Sequence, residues 1–343
     1  MSPADDSARG SQGPAVRAAP PARWRRVSRA TAPWLVTIAV FAAILRRYPP
    51  GEVLAAMGEG AVAPMMAIGF GLGVALLPFA AAWDRVVMRA TVPGSAHPPT
   101  YRDALRGKGG TAVLMVLGYA FGSGGYGVWI ARATGCGAKV AAGIVLYIMA
   151  SDLAAVALVA TPCVWLGGLR APWLAVGAPT VGLAVLGLAL VGPSLGKRQR
   201  DRDDLLAPWR RAGTGAALVS VFGRCVNVAL IMAMTWLGAR AFGLAIPASG
   251  MATYLPIVLL VGALPVNVAG LGPATAVWVL AFERWVPGER IIAFQFLWQL
   301  AFGTGVVVRG LPFVRRVIAE IDEGRVPTAT PPPPEASAPP PPR

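Results

Sequence analysis

Residues 241–282 read AFGLAIPASGMATYLPIVLLVGALPVNVAGLGPATAVWVLAF and contain no charged side chain. As a single helix rising ~1.5 Å per residue, this stretch would extend about 60 Å, roughly twice the ~30 Å thickness of a bilayer core. The chain must therefore either cross a membrane twice here or enter the membrane and return to the same side.

The stretch is interrupted by Pro265, Asn267, Gly270, Gly272 and Pro273. Proline removes a backbone donor, and glycine and asparagine lower helix propensity. After the second proline only about ten residues remain before the next charged side chain, too few for a second helical crossing. We therefore predict a re-entrant hairpin over 247–282. The alternative is a plain helix–loop–helix whose loop lies at the membrane surface.

A break of this kind has functional implications. Each unpaired backbone group in lipid costs several kcal/mol, so irregular backbone persists at membrane depth where protein buries it or where it lines a wet cavity. Broken apolar segments often form the binding sites of transporters. Pro265, Asn267, Gly270 and Gly272 are therefore candidate substrate-binding residues.

The composition indicates a polytopic membrane protein. Of the 343 residues, 55% are hydrophobic and 14% are charged, whereas soluble domains carry ~25% charged residues. The net charge of +15 comes from basic residues in loops beside apolar segments, which is the positive-inside pattern rather than a nucleic-acid site. The three cysteines and the single His97 show no metal-ligand spacing, so we expect no metal and no cofactor.

The remaining apolar segments predict an all-α helix bundle with six full spans and two re-entrant hairpins. The spans are predicted at 31–45, 61–83, 140–164, 172–193, 214–237 and 290–311, and the other hairpin at 109–131 with its break at Phe121–Gly127. The flanking tails, 1–30 and 319–343, are predicted to be disordered, the first basic and the second proline-rich. The membrane domain is therefore predicted to cover 31–318.

Loop charges decide the predicted topology. The loop at 197–211 is strongly basic, and it would lie outside if both broken segments crossed fully, against the positive-inside bias. Re-entrant hairpins instead place both termini and all the basic loops on the cytoplasmic side of a bacterial-type membrane. They also divide the chain into two units of span, hairpin and span, which the pattern predicts to be inverted repeats.

Two ionisable residues lie within predicted spans, Asp152 and Arg224. Each costs roughly 2.5–3.5 kcal/mol at the centre of a membrane helix, so we expect these opposite charges to pair. Asn227 shares the helix face of Arg224, and Gln295 and Gln299 form a polar face on the last span.

The sequence is compatible with three roles or positions of Arg224. The pair with Asp152 could be a structural bridge between helices. Alternatively, Arg224 could face a polar cavity near Asn267 and meet a phosphate through its planar fork. A third alternative places Arg224 nearer to the membrane interface.

The run PVNVAGLGPATAVWVL, which follows WLGARAFGL in the chain, resembles the flippase-like membrane domain of lysylphosphatidylglycerol synthases. That family shows a proline, a small-residue turn and a Gly-x-Gly, which Pro265, Gly270 and Gly272 match. An Arg-Glu pair follows in the family, whereas Ala274 and Thr275 stand at those positions here.

The first half of the chain resembles the same family through FGSGGYGVWIARATG. The family has a Gly-Gly-Asp-x-x-Arg segment that leads into an Arg-Ala-Thr-Gly-like turn, and 132–135 match the turn. Ser123 and Tyr126 stand where the acid and the arginine are expected, which makes Ser123 a further candidate. The resemblance covers roughly 30–318 and implies the fold more strongly than the substrate.

In this family aminoacyl transfer belongs to a separate soluble domain, for which we expect no room in the proline-rich tail. The resemblance therefore implies a non-enzymatic protein that translocates or binds a lipid, which we expect to be an anionic or polyisoprenyl-linked one. A second hypothesis is a non-transporting partner or anchor for envelope-assembly enzymes. A membrane-embedded transferase is a third, and no acid/base constellation in the sequence supports it.

Overall fold

The computed structural model describes residues 23–94, 96–117, 119–166, 180, 182–184, 187, 202–262 and 272–322, and all regular structure within them is α-helical. This confirms the predicted all-α bundle. The helices are α1 (Arg23–Arg47), α2 (Pro50–Glu59), α3 (Val62–Thr91), α4 (Tyr101–Leu117), α5 (Tyr119–Thr134), α6 (Ala138–Leu166), α7 (Ala207–Arg211), α8 (Thr214–Ala241), α9 (Ala248–Gly262), α10 (Pro273–Phe282) and α11 (Gly288–Asp322).

Four of the described helices are long and apolar enough to cross a membrane: α3, α6, α8 and α11. They correspond to four of the six predicted spans, and the protein is a multi-pass integral membrane protein. The predicted span at 31–45 lies within α1. The predicted span at 172–193 lies largely outside the described residues.

α4 and α5 form the first hairpin. Gly122 of α5 packs directly on Met115 of α4, and the backbone N–H of His97, ahead of α4, donates to the carbonyl of Thr134 at the end of α5 (3.3 Å). Both ends of this hairpin therefore lie at one face of the bundle, which we call the basic face. The arms have 17 and 16 residues, or about 25 Å each, less than a ~30 Å bilayer core.

α9 and α10 form the second hairpin, which enters from the opposite face. Gly250 near the start of α9 contacts Trp285 just after α10, so both ends of this hairpin lie together. The preceding helix, α8, ends beside the start of α3, where Phe242 contacts Gly60. Since α3 runs from there to the basic face, the two hairpins have opposite orientations. This is the arrangement that the predicted inverted units require.

The predicted break at Phe121–Gly127 is wrong, because α5 continues through all of these residues. α4 ends at Leu117 and α5 begins at Tyr119, ahead of the predicted break. Glycine lowers helix propensity by ~1 kcal/mol per residue, yet Gly122 and Gly125 lie against α4 where a side chain would collide. Close helix packing therefore outweighs their low propensity.

Several helices are longer than predicted. α3 continues to Thr91 rather than ending at 83, and α11 continues through Pro312 to Asp322. The extension of α11 packs on the first hairpin, where Val317 contacts Gly110. α2 was not predicted. Packing against neighbours extends these helices beyond the apolar segments that the sequence marks.

α3 and α11 cross at very close range near the middle of the bundle. Gly73 and Gly305 face each other there, and a Cβ on either residue would collide with the backbone of the other helix. Small residues at such crossings let membrane helices approach closely. This contact fixes the frame on which both hairpins pack.

Candidate functional site

A network of four charged side chains joins α3, α4, α6 and α8. Arg224 donates from Nη2 to Asp84 Oδ1 and from Nη1 to Asp152 Oδ1, each at 2.5 Å. Lys108 Nζ lies 2.7 Å from Asp84 Oδ2. The two cations and two anions balance, so this charge network is formally neutral.

Burial is uneven along the charge network. The Asp84 side chain is fully buried and that of Arg224 is 3% exposed, whereas Lys108 is 14% and Asp152 is 43% exposed. Arg224 Nε also donates to Ser220 Oγ (3.3 Å). The middle of the network is thus enclosed, and Asp152 is its most exposed end.

The predicted Asp152–Arg224 pair is confirmed. Asp84 and Lys108 were not predicted as partners, because both stand at or beyond the ends of the predicted apolar segments. In the structure they lie within α3 and α4. A signal for Asp84 was available in its spacing from Ala81 and Met88, both buried residues on one face of α3. A carboxylate at such a position on an apolar helix face must have a partner.

Two aromatic side chains of the first hairpin pack beside the charge network. Lys108 Nζ lies 4.9 Å from the ring centroid of Tyr126, which stacks on Trp129 at 5.6 Å. Trp129 Nε1 donates to Glu320 Oε2 (2.9 Å). The charge network is therefore continuous with the packing of the first hairpin against α11.

A cavity of about 220 Å³ lies between the second hairpin and the long helices α3, α8 and α11. We call it the hairpin cavity. Gly262 at the end of α9 and Ala274 at the start of α10 both line it. The break residues 263–271 connect these two positions in the chain and lie outside the described residues. The lining residues are Leu72, Ile231, Thr235, Leu255, Val258, Leu259, Gly262, Ala274, Trp278, Gln295, Trp298, Gln299 and Phe302.

The hairpin cavity is mostly apolar, with three polar side chains. Gln295 and Gln299 are one turn apart on α11, and Thr235 belongs to α8. The predicted polar face of the last span therefore lies on this cavity. Trp278 and Trp298 supply aromatic wall surface.

α8 connects the charge network to the hairpin cavity. Arg224, Ile231 and Thr235 follow one another at helical spacing along one side of it, and the last two line the cavity. At ~1.5 Å per residue, Arg224 and Ile231 are about 10 Å apart along the helix axis. Asn227 lies between them, and its buried Oδ1 has no hydrogen-bond partner among the described residues.

The predicted site residues are thus only partly brought together. Asp152 and Arg224 meet, Asn227 is the next polar position along α8, and Gln299 lines the hairpin cavity. Gly272 caps the start of α10. Ser123 lies in α5, within the first hairpin. The remaining candidates, Pro265, Asn267 and Gly270, lie outside the described residues, so the alternative that places Arg224 near Asn267 stays a prediction.

No family model matches the chain, and no curated protein matches it either. The resemblance to the lysylphosphatidylglycerol synthase membrane domain therefore stays a prediction that depends on the motifs quoted above.

Proposed function

We propose that this integral membrane protein is not an enzyme and binds an anionic or polyisoprenyl-linked lipid, which it moves between the leaflets of a bacterial-type cytoplasmic membrane. One observation carries the proposal: an apolar cavity beside the second hairpin lies on the same side of α8 as Arg224. A lipid has the same division, with a charged head group and an apolar chain.

The dimensions of the hairpin cavity support partial rather than complete enclosure of a lipid. Sites that enclose a drug-sized molecule measure ~300–1,000 Å³, and this cavity has about 220 Å³. It is large enough for a segment of an acyl or prenyl chain. Thr235, Gln295 and Gln299 add hydrogen-bonding groups that favour an amphipathic ligand over a purely apolar one.

The opposed hairpins support translocation as well as binding. Inverted units with broken helices are the usual architecture of transporters that alternate access between two faces. In this protein the first hairpin opens to the basic face and the second to the opposite face, as the contacts at their ends establish.

A second candidate function is that of a non-transporting membrane partner or anchor for envelope-assembly enzymes. The observation that favours it is that Arg224 already bonds two carboxylates and a hydroxyl of its own protein. A guanidinium so engaged serves to hold helices together. In that case lipid occupancy would not affect function.

The test is to fill the hairpin cavity. Val258 lines it and is 4% exposed, whereas Val308 on α11 is 46% exposed and does not line it. Val258→Phe should reduce the lipid that co-purifies, measured by native mass spectrometry, and slow lipid scrambling in proteoliposomes. Val308→Phe is the matched control and should change neither. Equal lipid retention by both variants would defeat the proposal and favour the anchor.

We also propose that the basic face is cytoplasmic, with both termini on that side. The loop before α7 belongs to this face, since Leu205 packs on Gly143 near the start of α6. Asp203 in that loop is 58% exposed at its side chain. In a background without Cys136, Cys163 and Cys225, Asp203→Cys should react with an impermeant thiol reagent only after permeabilisation. Labelling of intact cells would reverse the orientation.

A further inference from the structure

The two carboxylates that bind Arg224 differ in how firmly the surrounding protein holds them. Asp84 is fully buried and shared with Lys108, so its carboxylate is fixed. The Asp152 side chain is 43% exposed and has no second ion pair among the described residues. Asp152 can therefore rotate away while Asp84 continues to hold the guanidinium, which leaves the Nη1 donors of Arg224 open.

We propose that Asp152 is an internal competitor for an anionic phosphoryl group, which binds Arg224 Nη1 once Asp152 has rotated away. The inference rests on the function proposed above and adds the ligand class and the element that controls access. A phosphate suits the site because its oxygens can accept hydrogen bonds from the planar guanidinium of Arg224.

Charge balance gives the expected selectivity. The network of Lys108, Arg224, Asp84 and Asp152 is neutral when closed, and it carries one excess positive charge when Asp152 departs. An uncompensated charge in a buried site is strongly unfavourable. A phosphodiester with net charge −1 restores the balance, whereas a zwitterionic head group brings its own cation and restores it less well.

The size of the effect follows from the population of the open state. If Asp152 is released in ~1–10% of molecules, the apparent affinity for the anion is lowered about 10- to 100-fold. Asp152→Asn removes the competing charge and should tighten binding of the anion by about tenfold or more. This direction is opposite to that expected if Asp152 were itself a ligand of the head group.

The experiment titrates purified full-length protein with short-chain phosphatidylglycerol, with the matching phosphatidylcholine, or with inorganic phosphate, and counts bound molecules by native mass spectrometry. Asp152→Asn should tighten phosphatidylglycerol binding and change phosphatidylcholine binding little. Asp203→Asn, which removes an exposed carboxylate from an arginine pair, is the control and should behave as wild type.

The outcomes separate this inference from the proposed function. Unchanged phosphatidylglycerol affinity in Asp152→Asn would overturn the inference, and the proposed function would stand if Val258→Phe still lowers lipid binding. Tightening toward inorganic phosphate alone would support the anion site and defeat the lipid function. No lipid binding by any variant would defeat both.

If Asp152→Asn does not fold, a measurement on the wild-type protein tests the inference instead. Dicyclohexylcarbodiimide modifies accessible carboxyl groups in membrane proteins, and the modified α6 peptide can be quantified by mass spectrometry. Phosphatidylglycerol should raise the labelling of Asp152 because it releases the side chain, and phosphatidylcholine should not. Labelling that does not respond to phosphatidylglycerol would overturn the inference.

Discussion

The first hairpin, α4 and α5, is closely packed around charges, whereas the second, α9 and α10, borders a cavity. Glycines such as Gly122 allow α5 to pack directly against α4. Lys108 of α4 belongs to the charge network through its ion pair with Asp84. The second hairpin has apolar arms with wide aromatic side chains such as Trp278, and it leaves about 220 Å³ unfilled. The two hairpins, in opposed orientations, thus differ in packing: the first is dense, and the second lies beside an unfilled cavity.

Glycine has a different structural role in each hairpin. In α5, glycine has ordinary helical geometry and serves to remove bulk between two helices. Gly272, in contrast, has φ +105° and ψ −128°, a conformation that is essentially restricted to glycine. The same residue type marks close packing in one hairpin and a real interruption in the other.

The largest effect should come from the buried centre of the charge network. Asp84→Asn leaves Lys108 and Arg224 with one exposed carboxylate between them, and we expect it to lower the free energy of unfolding by about 3–5 kcal/mol. Titration with a denaturing detergent in mixed micelles measures this. Asp152→Asn should lower it less, because Asp152 is partly exposed and Arg224 keeps Asp84. Equal losses would mean that the network has no buried centre.

The next effect concerns the interruption in the second hairpin. Gly272→Ala must place a side chain at positive φ and 2.9 Å from Thr37 Oγ1 of α1, so we expect a loss of about 1–3 kcal/mol. Gly262→Ala is the control at the other arm, since a Cβ there meets nothing within 4 Å. Thermal unfolding in detergent compares the two. A neutral Gly272→Ala would show that the start of α10 can relax.

A smaller loss is expected within the first hairpin. In Gly122→Ala the new Cβ would collide with Met115, whose side chain can move but whose Cα cannot easily do so. We expect a loss of about 1–2 kcal/mol from overpacking. Gly124→Ala in the same helix faces open space, and its higher helix propensity should make it neutral or stabilising by up to ~1 kcal/mol. Equal changes in stability for Gly122→Ala and Gly124→Ala would contradict the packing role of Gly122.

The smallest effect is a pH response at the basic face. Arg210 bonds Asp204 at 2.7 Å, and this hydrogen bond lowers the pKa of that carboxyl below its usual value of 3.8. A carboxylate with a lowered pKa stabilises the fold at neutral pH, and the contribution is lost as pH falls below about 4. Asp204→Asn should flatten this part of the stability profile, measured by thermal unfolding between pH 7 and pH 3. A profile identical to that of the wild type would show that the α7 contact does not depend on Asp204.

The membrane class, the helix bundle and the second hairpin could all be predicted from the sequence. Long apolar segments must be helical in lipid, because every backbone group has to be paired internally. The charge-free stretch at 241–282 is too long for one crossing and too interrupted for two. The opposite charges of Asp152 and Arg224 were sufficient to predict their pairing, because neither can be buried alone.

The course of the first hairpin, the full charge network and the hairpin cavity depend on tertiary packing. Whether a glycine-rich segment bends or continues as a helix depends on what lies against it, and Gly122 faces Met115 only after α4 and α5 have packed. Asp84 and Lys108 are 24 residues apart in the chain, so only the fold brings Lys108 to the carboxylate that Arg224 also binds. The hairpin cavity has the same origin, since five helices enclose it and no local pattern specifies a volume that their side chains leave unfilled.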